Sequence, residues 1–270
     1  MIPQAYITGW RKNAPWAQPA QVEQDLVICR ALVEMFNRPL LADNFAFRGG
    51  TAMFKLHMPP ARYSEDIDLV QVESGPIGPV LDELRGCLNP WLGEPRRRQS
   101  EGRVTLIYRF SSEDGLPLRL KVEINSREHF AVHGLQHHPF TVESRWFTGK
   151  TEILTYSLDE LLGTKLRALY QRKKGRDLFD LWYAFKHANP LPDAQRVVAS
   201  FLEYMAHGGY QISRALFEQN LIEKKAEPQF VNDMEPLLTT ASDWDFDQAF
   251  EDVMRRLIAL LPGDSWQGRV

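Results

Sequence analysis

The chain predicts an α+β protein with a strand-rich mixed part first and an α-helical part after it. Three observations predict this. Apolar and polar residues alternate in several runs between positions 44 and 156, and the apolar spacing of amphipathic helices takes over beyond position 157. A capping signature, Ser157-x-x-Glu160, stands at the change.

The first clear element is a helix over 21–36, where Leu26, Ile28, Cys29, Leu32, Val33 and Phe36 form a broad apolar face. A short strand at 44–48 ends in Gly49-Gly50, and 51–57 then reads as a short helix closed by Pro59-Pro60. Residues 66–72 form a strand candidate. A helix follows over 77–92, interrupted or ended near Pro90 because proline lacks the donor a helix needs. Segments 104–110 and 118–125 alternate, and Asp114-Gly115 joins them as a hairpin. Short strands are expected at 140–147 and 153–156. Helices then follow at 158–172, 177–187, 194–205, 213–218 and 246–261. The expected organisation is an α/β core with an N-terminal helix over 1–156 and an α-helical region over 157–270. With no flexible linker between them, the halves are expected to pack tightly, the helical region closing a shared cleft.

Length and composition narrow the function. A chain of 270 residues can bury a substantial core, and a net charge of -3 excludes a globally basic nucleic-acid binder. Any nucleic acid must meet a local patch. Two cysteines, Cys29 and Cys87, are too few for a disulfide framework or a thiolate metal site, and both read as buried reduced thiols. There is no signal-type apolar segment and no apolar run of the roughly 18 residues that spans a bilayer. A cytoplasmic protein without membrane association is expected.

The chemistry concentrates in Phe47-Arg48-Gly49-Gly50-Thr51-Ala52 and Ser64-Glu65-Asp66-Ile67-Asp68-Leu69. Alternation along a strand aims Asp66 and Asp68 to one side while Ile67 and Leu69 enter the core. Adjacent carboxylates repel unless a cation lies between them, and hard divalent ions take oxygen ligands and bridge to phosphates. A Gly-Gly turn before a helix lets backbone N–H groups approach a phosphate, and Thr51 can add a hydroxyl. Taken separately, the acidic pair and the glycines are also compatible with an exposed edge strand and an ordinary turn. Together they favour a phosphate-and-metal centre.

In 118–125, Arg119, Lys121, Glu123 and Asn125 share the polar face. Glu123 is a candidate third carboxylate and Lys121 a counter-charge, although on this segment alone an ordinary cross-strand Lys–Glu arrangement on a solvated face reads slightly better. Lys165 lies within the apolar stripe of its helix, so its ammonium either reaches outward or meets an anion. Asp177 falls in the first turn of the next helix, where the dipole alone would favour it. The basic runs 172–176 and Arg96-Arg97-Arg98 are either solvated or phosphate-binding. His137-His138 reads as a loop pair, Cys29 has no motif linking it to a base, and Trp182, Tyr183 and Phe185 have core spacing. No Walker A or dinucleotide-binding fingerprint is present.

These residues resemble the AbiEii-type nucleotidyltransferase toxins of bacterial type IV toxin–antitoxin (abortive infection) systems. FRGGTAMFKLHMPPARYSEDIDL is similar to the first family motif, KVEIN to the second, and TYSLDELLGTKLRALYQRKKGRDLFDLWYAF to the third and fourth; the resemblance covers 47–185. It implies a DNA polymerase β-like nucleotidyltransferase fold with an α-helical C-terminal region. Asp66 and Asp68 would bind Mg²⁺, and Lys165 and Asp177 would fall in the catalytic motifs. The segment from Gly50 to Asp66 is longer than in many nucleotidyltransferases.

The resulting expectation is transfer of a nucleoside monophosphate from an NTP to an acceptor hydroxyl, with pyrophosphate released. Asp66, Asp68 and Glu123 are the expected metal ligands for Mg²⁺, with Mn²⁺ able to substitute, and also the expected catalytic carboxylates beside Lys165 and Asp177. Gly49, Gly50, Thr51, Ser64 and Lys121 are the expected nucleotide contacts. RNA, with tRNA first, is the acceptor the resemblance implies, and a cognate antitoxin need not bind directly. Transfer to a small molecule or a protein, and a silent nucleotide-binding module, are the alternatives.

Overall fold

The computed structural model of the chain describes residues 2–238 and 243–268. The chain divides into two compact units. One comprises the residues up to Leu56 together with Pro60–Tyr156, and the other comprises His57–Pro59 and the chain from Ser157 onward.

The first unit begins with α1 (Gln4–Trp10), α2 (Pro19–Phe36) and α3 (Pro39–Asn44). Pro19 opens α2 at a position where a missing N–H costs nothing, and Gln18 and Gln21 form a reciprocal cap. Strand β1 (Phe45–Arg48) runs into α4 (Gly49–Ala52), which continues as a π-helical turn over Met53–His57. Then come β2 (Asp66–Gln71), α5 (Gly78–Leu92), β3 (Arg96–Ser100), β4 (Arg103–Ser111), β5 (Pro117–Asn125), β6 (Leu135–Glu143) and β7 (Thr148–Tyr156).

The seven strands make one mixed sheet in the order β3-β4-β5-β2-β1-β7-β6. The β2–β5 and β1–β7 pairs are parallel and the others antiparallel. Ile67, Leu69, Leu106, Tyr108, Leu120, Val122 and Ile124 lie on the core face, which α2 and α5 cover. The opposite face carries the polar partners.

The helical unit holds α6 (Leu158–Gln171), α7 (Gly175–His187), α8 (Ala194–His207), α9 (Arg214–Lys225), α10 (Pro228–Val231) and α11 (Phe246–Arg256), with 3-10 turns over Asn232–Leu237 and Ile258–Leu260. Ser157 caps α6 by accepting from the Glu160 N–H at 3.3 Å. Helices α6 and α8 pack so closely that a Cβ at Gly163 would meet Ser200 and the Val197 carbonyl. Trp182 is buried among Phe179 and Trp244, as core spacing implies.

The structure corrects several expected elements. His137 and His138 lie in edge strand β6 rather than in a loop. That strand has few apolar residues, so it shows little alternation. The triple-arginine run is a strand, β3, for the same reason. Pro90 neither breaks nor ends α5. It stands in the last turn, where only one intrahelical bond is lost, and Gly93, at φ 76°, ends the helix. Helix α9 runs past its expected end and α11 stops before its own, while α1, α3 and α10 are short helices without a legible apolar period.

Candidate active site

Strand β2 is the fourth and central strand of the seven, between β5 and β1. Its register sets Asp66 opposite Lys121 and Asp68 opposite both Glu123 and Arg48. Cross-strand partners share a face, so these charges converge on the side away from the core. Lys121 Nζ lies 3.2 Å from Asp66 Oδ2. The other oxygen, Asp66 Oδ1, is buried and has no hydrogen-bond partner. A buried carboxylate oxygen without a donor is costly unless a cation or donor completes it.

The Gly-Gly turn is built against the second aspartate. Gly49 has φ 83°, a conformation that favours glycine, and a Cβ there would collide with the Asp68 carboxylate. A Cβ at Gly50 would meet the buried Arg62 guanidinium. Thr51 donates its hydroxyl proton to the Asp66 carbonyl at 2.6 Å, so in its 2.8 Å contact with Ser64 it accepts. Thr51 is 2% exposed. Its hydroxyl therefore ties the turn to β2 and has no proton left for a phosphate.

Arg48 pairs with Glu128 at 2.7 Å, and Asn125 also donates to Glu128, at 3.2 Å. Burial opposes the Arg48 charge, but Glu128, with Tyr156 and Asp68, more than offsets this and holds the guanidinium above its ordinary value. Glu123 lies 3.8 Å from Arg103. Among the described residues no three metal-ligating side chains converge. Glu123 stands beside Asp68 across the β2–β5 register. Two carboxylates still fit Mg²⁺, which commonly takes one or two from protein and the rest from phosphates and water.

Behind the turn, buried Asp25 of α2 anchors the following segment. It accepts from Trp10 Nε1 at 2.8 Å and pairs with Lys55 at 2.5 Å. The Cys29 thiol beside it is pushed up to about 12 by burial first and by Asp25 in part, so it stays protonated and inert. Burial, with Glu65, Asp25 and Asp66, also raises the Tyr63 phenol.

The helical unit holds a second charged cluster. Lys165 Nζ lies 2.9 Å from Asp180 and 3.5 Å from Asp177, and both carboxylates are fully buried. Arg172 grips Asp177 with Nε at 2.7 Å and a terminal nitrogen at 2.8 Å, a two-point contact. Lys224 donates to the Leu169 and Tyr170 carbonyls, closing the end of α6. Burial pulls its pKa down to about 8, against the pull of Asp177. The rest of the basic turn is neutralised, with Lys173 on Glu227 and Lys174 and Arg176 on Asp233.

Sequence reasoning did not single out Arg48, Arg62 or Asp180. Asp180 follows Asp177 by one helical turn, a spacing that places both on the face Lys165 meets. Arg48 adjoins the Gly-Gly turn on the strand that pairs with β2. Arg62 carried no comparable signal.

A mixed sheet with paired carboxylates beside a glycine turn is the arrangement of a nucleotidyltransferase. A family model described as "Nucleotidyl transferase AbiEii toxin, Type IV TA system" matches residues 30–252. The chain belongs to the AbiEii nucleotidyltransferase toxin family. Among solved structures it is similar to MenT4, a nucleotidyltransferase toxin of Mycobacterium tuberculosis, at 16% identity and TM-score 0.63, over 98% of this chain and 92% of that one. It is also similar to JHP933 of Helicobacter pylori at 16% identity and TM-score 0.56, over 88% and 90%. These likenesses bear out the nucleotidyltransferase fold with helical C-terminal region. No curated protein matches the chain by sequence. Among the described residues no helix is long and apolar enough to cross a membrane.

Proposed function

We propose that the chain transfers a nucleoside monophosphate from an NTP to a hydroxyl of RNA, tRNA first among the acceptors. The acceptor oxygen bonds to the α-phosphorus as the bond to the β-phosphate bridging oxygen breaks, and pyrophosphate leaves with that electron pair. The observation that carries this reading is the Asp66–Asp68 pair, held on one face beside Gly49 with Asp66 Oδ1 buried and unsatisfied. Mg²⁺, or Mn²⁺ in its place, supplies charge neutralisation of the phosphates when held by these two carboxylates.

The remaining roles belong to the chain's own groups. Gly49 and Gly50 present backbone N–H groups to the phosphates, and Thr51 with Ser64 fixes the turn that aims them. Lys121 fixes Asp66 through its ammonium and limits the repulsion between the aspartates. Glu123, beside Asp68, takes the proton of the acceptor hydroxyl. Lys165 and Asp177 are required for transfer as part of the family's third and fourth motifs, with Asp180 and Arg172 holding them in position. Most of the rate enhancement then comes from positioning and preorganised charge. A cytoplasmic toxin with a cognate antitoxin that need not bind it directly completes the reading.

The test incubates purified protein with each α-labelled NTP, Mg²⁺ and total tRNA. Label in the tRNA of the wild-type reaction and none with Asp66→Ala/Asp68→Ala is the expected result. Label in protein or a small product would reassign the acceptor, and nucleotide binding without transfer would overturn the reading.

A further inference from the structure

The sheet face that presents Asp66 and Asp68 continues outward across three strands to the β3 edge, and the register shows what it carries. Lys121 pairs with Ile107, Arg119 with Arg109, and Glu123 with Thr105 across β5–β4. Ile107 pairs with Arg96, Thr105 with Arg98, and Arg103 with Ser100 across β4–β3. Cross-strand partners share a face, so Arg96, Arg98, Arg103, Arg109 and Arg119 all project on the side of the β2 carboxylates. Every residue of β3 is exposed, as is Arg109. Among the described residues Arg96, Arg98 and Arg109 have no carboxylate within ion-pairing distance, unlike the basic turn of the helical unit.

Charged residues on an edge strand also block unwanted strand pairing. That accounts for β3 alone. It does not account for arginines on the same face of the interior strands β4 and β5, whose backbones are already paired on both sides. Arg97, which points the other way, instead donates to Gln99.

We propose that this arginine face is the track along which the phosphodiester backbone of a single-stranded RNA segment approaches the β2 carboxylates. The proposal rests on the reading of RNA as acceptor. The chain as a whole is negative, at -3, so an RNA needs such a local patch. Strand spacing sets the β3 edge about 14 Å from β2, a span that several nucleotides cross. Arginine forks bind phosphate in two-point fashion and carry no base information, so the track holds RNA without regard to sequence. Choice of acceptor is then left to the groups around the reacting hydroxyl.

The test measures binding of a fluorescein-labelled single-stranded RNA by anisotropy across a salt series, alongside NTP affinity by equilibrium dialysis. Arg96→Ala/Arg98→Ala/Arg109→Ala is compared with Lys12→Ala/Arg85→Ala/Arg255→Ala, which removes equal charge elsewhere. The first variant is expected to bind RNA at least ~10-fold more weakly, with the log–log salt slope lower by about 2 and NTP affinity unchanged, while the second binds as wild type. Wild-type RNA binding by the first variant overturns the track and leaves the acceptor reading standing. Equal losses in both variants overturn it as a general charge effect. A wild-type protein that binds no RNA overturns both.

Discussion

The two charged clusters hold their carboxylates in opposite ways. In the helical unit Asp177 is fully buried and saturated, with Arg172 gripping both its oxygens and Lys165 at 3.5 Å. On the sheet, Asp66 is part exposed, has one lysine at 3.2 Å, and keeps its other oxygen without a donor. Burying ions costs several kcal/mol each, so a saturated cluster is organised to fix geometry, and its members are sensitive to loss of a partner. A pair of like charges that leaves Asp66 Oδ1 unsatisfied is organised to receive something positive. The same residue types thus make a rigid joint in one place and a receptive centre in the other.

This contrast can be broken most severely at β2. Asp66→Ala/Asp68→Ala should lower nucleotidyl transfer by at least ~10³-fold while leaving the urea midpoint near wild type, because the removed charges repel each other. Transfer that survives the double change would end the assignment. Lys165→Ala should do the reverse to stability, costing about 3–5 kcal/mol in urea unfolding by removing the ammonium that two fully buried carboxylates, Asp180 and Asp177, share. Arg172→Ala should cost less, since the Arg172 side chain is 53% exposed. Equal losses for the two would show that Lys165 is not the keystone of its cluster.

Gly49→Ala sharpens the contrast more gently. Its backbone, at φ 83°, disfavours a side chain by about 1–2 kcal/mol, and the new methyl would push the Asp68 carboxylate aside. Transfer should fall by about 10²-fold with a small change in unfolding midpoint, and an unaffected rate would count against Asp68 as a positioned group. The smallest effect concerns Lys224. Burial lowers its pKa to about 8, below the ordinary 10.5, so the folded chain gives up a proton that the unfolded chain keeps. Its contribution is unfavourable below pH 8 and eases as pH rises from about 8 toward 10.5. Thermal melts should show wild type gaining stability over that window relative to Lys224→Met, and parallel curves would remove the linkage.

What the sequence revealed follows the same physics. Asp66-Ile67-Asp68-Leu69 is half-buried, so its alternation announces both the strand and the shared direction of the carboxylates. Ser157 and Glu160 announce α6 because capping is a local interaction. Edge strands β3 and β6 lack a buried face over most of their length, and so His137-His138 and Arg96-Arg97-Arg98 carried no strand period. Lys165 was conspicuous as a lysine in an apolar stripe, but its partner Asp180 reads in sequence as an ordinary helix carboxylate. The arginine face is invisible in sequence for a different reason. It is assembled by register from three strands, all of them separated from β2 in the chain by α5.

The most direct measurement is a Mn²⁺ titration followed by EPR in the presence of a non-hydrolysable NTP analogue. The account predicts that wild type and Asp180→Asn take up Mn²⁺ alike, while Asp66→Ala/Asp68→Ala does not. Undiminished uptake by the double variant, or loss confined to Asp180→Asn, would contradict it.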